Sequence, residues 1–302
     1  MERTGHGKKK ISKKKVLLVL VAIFFLSAAG VAFAVYNSVR TAFDGEVLQS
    51  EKRTEDLQLE GSGFTVLLMG VDERENDEGR SDTMILMSIA DDSVKMLSIP
   101  RDTRVTIAEK GTEDKINHAY AFGGIDMAAK TVEDFLDMPV DYYVKMNMEG
   151  LEELVDAVGG VTVVNPFAFS YKGDVFPEGT LTLNGKEALN YSRMRYEDPQ
   201  GDFGRQMRQR QVIQFIIEKG DAQWNILKYN DILDAVASNV ETNLSISDMI
   251  SIQKQYGNAK NNFQSEKIDG YGEIINGVYY YIVSENERKR LSSVFKEHIN
   301  IP

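Results

Sequence analysis

Residues 64–101 read FTVLLMGVDERENDEGRSDTMILMSIADDSVKMLSIPR, and three apolar runs within them decide the architecture. The first, Phe64 to Val71, is continuously apolar and carries β-branched residues, the pattern of a strand covered on both faces. A polar loop from Asp72 to Asp82 follows. Thr83 to Ala90 and Val94 to Ile99 are two further strand-like runs, and Asp91-Asp92-Ser93 between them reads as a short hairpin turn. Pro100 closes the second run. With a three-residue turn Thr83 falls opposite Arg101, so Asp82 and Arg101 leave the hairpin at the same end. Asp72, at the end of the preceding strand and one loop away, opens onto that edge as well. Two carboxylates and one guanidinium are therefore expected to converge at a sheet edge.

Working outward, strand and helix patterns alternate. Ala128, Val132, Phe135 and Leu136 have helical spacing with Pro139 just beyond, and Tyr142 to Met146 is strand-like. Leu151, Leu154, Val155 and Val158 form the next helical stripe, stopped by Gly159-Gly160 and followed by a strand from Val161 to Val164. Thr180 to Leu183 alternates as a half-buried strand, and Asn184 with Glu187 starts a helix running into Tyr191. Another helix begins near Asp202 or Phe203 and continues through Val212, Phe215 and Ile216. Asn276-Gly277 marks a hairpin, and Ser284 with Glu287 caps a last helix whose buried stripe is Leu291, Val294, Phe295 and Ile299. The expectation is a single α/β domain over residues 62–302, with a mixed central sheet flanked by helices.

The chain has 302 residues and a net charge of -11. That charge is divided sharply: residues 1–15 carry seven basic side chains against Glu2, or +6, leaving -17 for the remainder. So acidic a body repels nucleic acid, which is not expected as a partner. Cysteine is absent, which excludes disulfides and zinc-thiolate sites. The 21 residues Val16 to Tyr36 carry no charge and, at ~1.5 Å per residue, reach roughly 32 Å, the thickness of a bilayer core. With the lysine-rich residues 1–15 kept in the cytoplasm, 16–36 reads as a single-pass type II signal anchor in the cell membrane, 37–61 as a stalk, and the domain as extracellular. Ala32-Phe33-Ala34 would fit signal cleavage, but the apolar run exceeds the roughly 7–15 residues of a signal h-region.

Between Arg104 and Arg288 the only arginines are Arg193, Arg195, Arg205, Arg208 and Arg210, all within YSRMRYEDPQGDFGRQMRQR (191–210), a block without lysine. Guanidinium grips phosphate oxygens two at a time, so a cluster choosing arginine over lysine points to bound phosphate; a solvated helix face is the plainer account. Arg205 and Arg208, three apart, share a face near a helix N-terminus. Arg193 and Arg195, two apart, would diverge on a helix. Asp202 is open to three roles: cap, arginine holder or base. Arg210 reads as surface, and His118 as a structural residue. The twelve methionines read as core filler, with the lining of a lipid channel as the alternative.

Asp72 and Asp82, hard carboxylates without His or Cys beside them, suit Mg²⁺, or Mn²⁺ in its place; the same loop reads equally as solvated acidic surface. Charge balance favours joining the two halves. A diphosphate is repelled by both aspartates unless a divalent cation intervenes, while the arginines neutralise its far oxygens. Such an assembly suits phosphoryl transfer. No Walker lysine or G-x-G-x-x-G accompanies it, so a lipid diphosphate reached from outside a membrane is the expected substrate.

The segments LLMGVDER, RSDTMIL, SIPRDT, DKINHAYAFGG, VDYYVKMN, LVDAVGGVTV, LNGKEALNYSRMR and GDFGRQMRQRQ jointly resemble the LytR-CpsA-Psr family, most of all its teichoic acid transferase branch. The resemblance implies an anchored phosphotransferase of cell-wall assembly. Such an enzyme moves an anionic glycopolymer from an undecaprenyl diphosphate carrier to a peptidoglycan sugar hydroxyl, makes a phosphodiester, and holds the lipid in an apolar tunnel. By the same resemblance Asp72 and Asp82 would hold Mg²⁺. Arg101, Arg193, Arg195, Arg205 and Arg208 would hold the diphosphate, and Asp202 would support the arginines. Asp82, Arg101, Arg195 and Asp202 are then the candidate catalytic residues, with the general base open among Asp72, Asp82 and Asp102. The competing readings are a polyprenyl diphosphate phosphatase and a non-catalytic lipid-binding or regulatory membrane protein.

Overall fold

Phe64–Val71 forms strand β1 in the interior of a six-stranded mixed sheet, with neighbours on both sides. The computed structural model describes residues 48, 50–53, 57, 59, 61–72, 79–219 and 239–301. Expectations for residues 1–36 and most of 37–61 lie outside the described residues. Among the described residues no helix is long and apolar enough to cross a membrane. The described residues all belong to one compact unit, Ala42–Pro302.

The strands in chain order are β1, β2 (Ser81–Ile89), β3 (Val94–Ser98), β4 (Arg104–Thr106), β5 (Glu113–Lys115), β6 (Tyr142–Met146), β7 (Val161–Asn165), β8 (Phe169–Tyr171), β9 (Asp174–Phe176), β10 (Gly179–Leu183), β11 (Val240–Thr242), β12 (Phe263–Glu266), β13 (Tyr271–Ile275) and β14 (Val278–Ile282). The helices are α1 (His118–Leu136), α2 (Met148–Ala157), α3 (Gly185–Arg193), α4 (Asp202–Lys219), α5 (Ile246–Tyr256) and α6 (Glu285–His298). The main sheet runs β11-β6-β1-β2-β3-β12. β2 is antiparallel to both β1 and β3, while β6 is parallel to β1. The C-terminal ends of β1, β3 and β6 and the start of β2 thus share one edge.

Alternation along β1 divides the core. Leu67 and Met69 pack with α1 and α6 through residues such as Val132, Phe135, Leu291 and Phe295. Phe64 and Val66 pack on the other face with Tyr256, Ala259 and the flanking Ile213 and Ile217 of α4. A separate cluster of Val161, Val163, Phe169, Phe176, Tyr191 and Val212 fills the space between β7, the β8–β9 hairpin, α3 and α4. The α/β architecture read from the sequence is present, and half of the twelve methionines lie in it as filler: Met69, Met84, Met87, Met96, Met138 and Met194 are all buried.

Two local signals form as read. Asn184 accepts from the Glu187 backbone N–H while the Glu187 side chain accepts from the Asn184 N–H, and Ser284 accepts from the Glu287 N–H. The β2–β3 register differs by one residue. Ile89 pairs with Val94 and Ile85 with Ser98, so the turn has four residues, closed by Ala90 N–H donating to the Ser93 carbonyl at 3.0 Å. The slip brings Arg101 level with Asp82 instead of Thr83. The segment before Ser62 is docked where it is described. Arg53 grips Asp141 bidentately at 2.5 and 2.7 Å, and the Tyr256 hydroxyl donates to the Leu59 and Ser62 carbonyls.

α6 closes one face of the sheet with His298 between two serines. Its Nδ1 lies 2.7 Å from Ser88 Oγ and its Nε2 3.0 Å from Ser93 Oγ, and Ser93 donates to Asp92. Ser93 Oγ therefore accepts from Nε2–H, leaving Nδ1 to accept from Ser88, which fixes a neutral tautomer. Burial, reinforced by Lys95, pushes this imidazole down to about 4. The unfolded chain, with an ordinary value near about 6.5, binds the proton first as pH falls. The domain is expected to lose stability as pH drops from about 6.5 towards about 4, and urea-unfolding midpoints should show this component removed in His298→Gln. An unchanged pH slope in that variant would overturn the assignment.

Candidate active site

The site is assembled where β1, β3 and β6 end, the edge at which ligands gather in α/β sheets. Gly70 pairs with Thr83 and Val71 with Ser81, so Asp82 is the extra residue of a β-bulge. A bulge re-aims the side chain it inserts. Asp82 Oδ1 accepts from Arg101 Nη1 at 2.5 Å, while Arg101 Nε lies 3.9 Å from Asp102. Asp102 in turn holds Lys115 at 2.6 Å, and its carbonyl accepts from the Tyr281 N–H. Burial works against the Arg101 charge, yet its pKa is raised because the Asp82 hydrogen bond and the carboxylates of Asp82, Asp102 and Asp202 outweigh it.

The second half comes from α4. Asp202, in its first turn, accepts from Gln206 Nε2 at 2.9 Å and pairs with Arg205 Nη2 at 2.8 Å, with Arg195 Nε 3.7 Å away. Asp202 thus lies within ion-pair distance of two arginines, the position an arginine holder would take. Arg205 also donates to the Asp82 carbonyl at 3.3 Å, which joins the two halves. Its pKa is lowered, first by burial and further by Arg101 and Arg195, against the opposing pull of Asp202 and Asp82. Arg205 stays charged because a guanidinium does not deprotonate in proteins. Its buried Nε has no hydrogen-bond partner among the described residues. A buried, charged donor beside two further guanidinium groups is what an anion-binding pocket presents.

α3 ends at Arg193, because Met194 turns to ψ 135°, and this break separates the two arginines that a continuous helix would have splayed. Arg193 forms no hydrogen bond or ion pair with another described residue and stands at the rim of a cavity of about 220 Å³. Leu68, Val144, Leu151, Leu154, Ile213 and Ile216 are among its walls, and Met146 and Met148 line it too. The cavity runs between the sheet, α2 and α4, apolar within and polar at the rim. Gln209, which the sequence reading did not single out, lines it and donates to Thr83 Oγ1 at 2.8 Å. Its position four residues after Arg205, on the same helical face, was the available signal.

Arg208 is not part of this cluster. Its side chain is 0% exposed and paired with Asp198, itself 2% exposed. Nε donates to the Tyr191 carbonyl at 2.9 Å and Nη2 to the Met194 carbonyl, with the guanidinium over the Phe169 and Tyr191 rings. Helical spacing put Arg208 near Arg205, but the third cluster of the core occupies that side and turns Arg208 into a strut between α3 and α4. Gly204 makes this possible, since a Cβ there would meet the Asp198 carboxylate at 1.9 Å. Arg210, read as surface, is half-buried and donates to Ser98 Oγ at 2.6 Å, and burial lowers its pKa. His118 is bound to Asp114 at 2.9 Å, in keeping with a structural role.

Asp72 follows β1 one residue beyond the Val71–Ser81 pair, beside the bulge that carries Asp82; residues 73–78 lie outside the described residues. Among the described residues no group of three or more His, Cys, Asp or Glu could hold a metal. Two hard carboxylates alone still fit Mg²⁺, which completes its shell with phosphate oxygens and water.

Arg208→Ala leaves Asp198 buried without its partner, and a loss of about 3–5 kcal/mol is expected from denaturant unfolding. Arg193→Ala should stay within about 0.5 kcal/mol of the parent. Unchanged stability in Arg208→Ala would return Arg208 to the ligand-binding set.

Residues 32–297 match the model of the LytR_cpsA_psr family. The polyisoprenyl-teichoic acid–peptidoglycan teichoic acid transferase TagU of Bacillus subtilis is 45% identical over 303 residues, covering 98% of this chain and 99% of the relative. The crystal structure of B. subtilis TagU superposes with a TM-score of 0.65 at 48% identity, over 79% of this chain and 97% of that one. A structure of TagT bound to LI-WTA matches with a TM-score of 0.71 at 32% identity, over 84% of this chain and 97% of that one. With a family match over most of its length and relatives this similar from end to end, the chain belongs to the LytR_cpsA_psr family.

Proposed function

We propose that this transferase moves an anionic glycopolymer, of the wall teichoic acid kind, from an undecaprenyl diphosphate carrier to a peptidoglycan sugar hydroxyl. The observations that carry the reading are an apolar cavity lined by Arg193 and, at the end of the same strands, a guanidinium cluster in which Arg205 is buried with an unengaged donor. A polyprenyl chain suits the cavity walls, and its diphosphate suits Arg193 and the neighbouring guanidinium cluster. The polyisoprenyl-teichoic acid on which the Bacillus subtilis relative acts pairs an apolar chain with an anionic polymer in the same way.

Arg193, Arg195 and Arg205 grip the diphosphate oxygens, with Arg101 reaching them from the end of β3. Asp202 keeps Arg195 and Arg205 aimed, and Asp82 does the same for Arg101. The acceptor hydroxyl oxygen attacks the phosphorus that bears the polymer. A new P–O bond forms, the bridging P–O bond of the diphosphate breaks, undecaprenyl phosphate leaves, and the hydroxyl proton passes to a carboxylate, one of Asp72, Asp82 and Asp102. The arginines stabilise the charge that develops on the transferred group and the leaving oxygen, where positioned cations act most strongly. Asp72 and Asp82 would hold Mg²⁺ or Mn²⁺, which when bound neutralises phosphate charge that the two carboxylates would otherwise repel. Residues 16–36 place the chain in the cell membrane as a single-pass type II protein, so that the domain meets the lipid carrier outside the cytoplasm.

The full chain in detergent micelles, given lipid-linked polymer and uncrosslinked peptidoglycan strands, should transfer polymer with Mg²⁺ and stop with chelator. Arg205→Ala, Arg195→Ala and Asp82→Ala should each reduce transfer on the order of 100-fold or more. Release of free polymer phosphate without transfer would establish the phosphatase reading, and lipid binding without turnover the non-catalytic one. Leu151→Trp, which fills the cavity, should raise KM for long-chain donors while leaving short-chain donors unaffected; equal effects on both would sink the placement of the lipid.

A further inference from the structure

α4 has a second concave face beside it. Phe203, Gln206, Met207 and Arg210 line a groove of about 800 Å³, separate from the apolar cavity. It begins at the reacting centre, because Phe203 follows Asp202 and Gln206 holds the Asp202 carboxylate at 2.9 Å. The opposite wall is the segment Glu266 to Gly270, which leads into β13, together with Tyr281 of β14. Tyr281 joins the groove to the site through its N–H on the Asp102 carbonyl and packs edge-on against Phe203, ring centroids 5.5 Å apart.

Beyond the groove's own lining, the β13–β14 hairpin carries a second tyrosine, Tyr279, on the strand that supplies Tyr281. Tyr279 lies two residues before Tyr281 and so shares its face of β14. Each ring lies against a glycine: a Cβ on Gly270 would meet the Tyr281 ring at 2.8 Å, and one on Gly272 the Tyr279 ring at 2.6 Å. Because those positions lack side chains, the rings lie down across the strand pair; Tyr279 is 48% and Phe203 43% exposed. The groove has no cationic excess. Asp198 is neutralised by Arg208, while Arg210 and Lys267 are matched by Glu266 and Asp269. Exposed aromatic faces with amide and balanced charged groups suit the C–H face and hydroxyls of a sugar ring. A polyanion would require a cationic track, as the arginines provide on the other side of α4.

We infer that this groove binds the acceptor: a hydroxyl-bearing glycan strand whose sugar rings lie along Phe203 and Tyr281 and on towards Tyr279, its hydroxyl delivered beside Asp202. The inference rests on the transferase reading above and assigns its two substrates to different faces of α4, lipid diphosphate to one and sugar acceptor to the other.

Steady-state kinetics of the full chain in micelles, with lipid-linked polymer and soluble uncrosslinked glycan strands, test it. Tyr279→Ala and Phe203→Ala should each raise KM for the strand roughly 3- to 10-fold, the loss of one aromatic contact, while KM for the lipid-linked donor stays put. Tyr279 is half-exposed, so that variant tests the groove even if Phe203→Ala unfolds. Titration of the strand alone should show the same loss of affinity and separates the two levels of the argument: if the parent fails to transfer polymer but this loss appears, the transferase reading falls and the groove stands. Unchanged strand affinity in both variants, competition by free anionic polymer, or loss of binding to anionic lipid vesicles in Tyr279→Ala would each overturn the acceptor assignment.

Discussion

The buried pair of Arg208 and Asp198 is the constraint on which the working half of the molecule depends. Taking both charges out of water costs several kcal/mol, and only a complete set of partners makes that tolerable. Here Arg208 spends its donors on Asp198 and on the carbonyls of Tyr191 and Met194. The end of α3 is thereby locked to α4, and the 194–201 segment can take few paths. One path sends Arg193 to the cavity rim and Arg195 towards Asp202; the same segment supplies Pro199 and Gln200 to the second groove.

The other half of the site depends on the sheet. An ordinary antiparallel ladder would carry Asp82 in step with its neighbours, but the bulge gives it a position of its own at the edge, level with Arg101. Arg205 then bridges the two halves through the Asp82 carbonyl. Its burial is what gives the cluster chemical force: in a medium of lower dielectric a fixed cation acts more strongly on phosphate than an exposed one. Carboxylates of Asp82, Asp102 and Asp202 interleave with the arginines, so the cations can gather before any anion arrives.

α4 organises what surrounds this centre. Its successive faces contact the apolar cavity, the buried core and the polar groove, and its first turn carries Asp202. On the proposed reading, one helix sets the directions from which an apolar chain and a hydroxyl-bearing partner approach the same phosphate. A low overall amphipathicity follows naturally for a helix that meets three different environments.

Much of this was legible in residues 64–101 and 191–210. Periodicity gave β1, the hairpin, the capped helices and the α/β class, because those depend on local propensity and on which face is apolar. Residue type pointed to the arginine and carboxylate cluster, since arginine without lysine and aspartate without histidine are chemical choices visible in one dimension. The one-residue hairpin slip, the bulge at Asp82 and the burial of Arg208 were decided only by tertiary structure. Helical spacing says that Arg205 and Arg208 share a face, but not that Phe169, Tyr191 and Asp198, brought from elsewhere in the chain, close over one of them and leave the other at the site. Long-range packing determines which charges are enclosed, and a buried charge must find its partners wherever the fold places them.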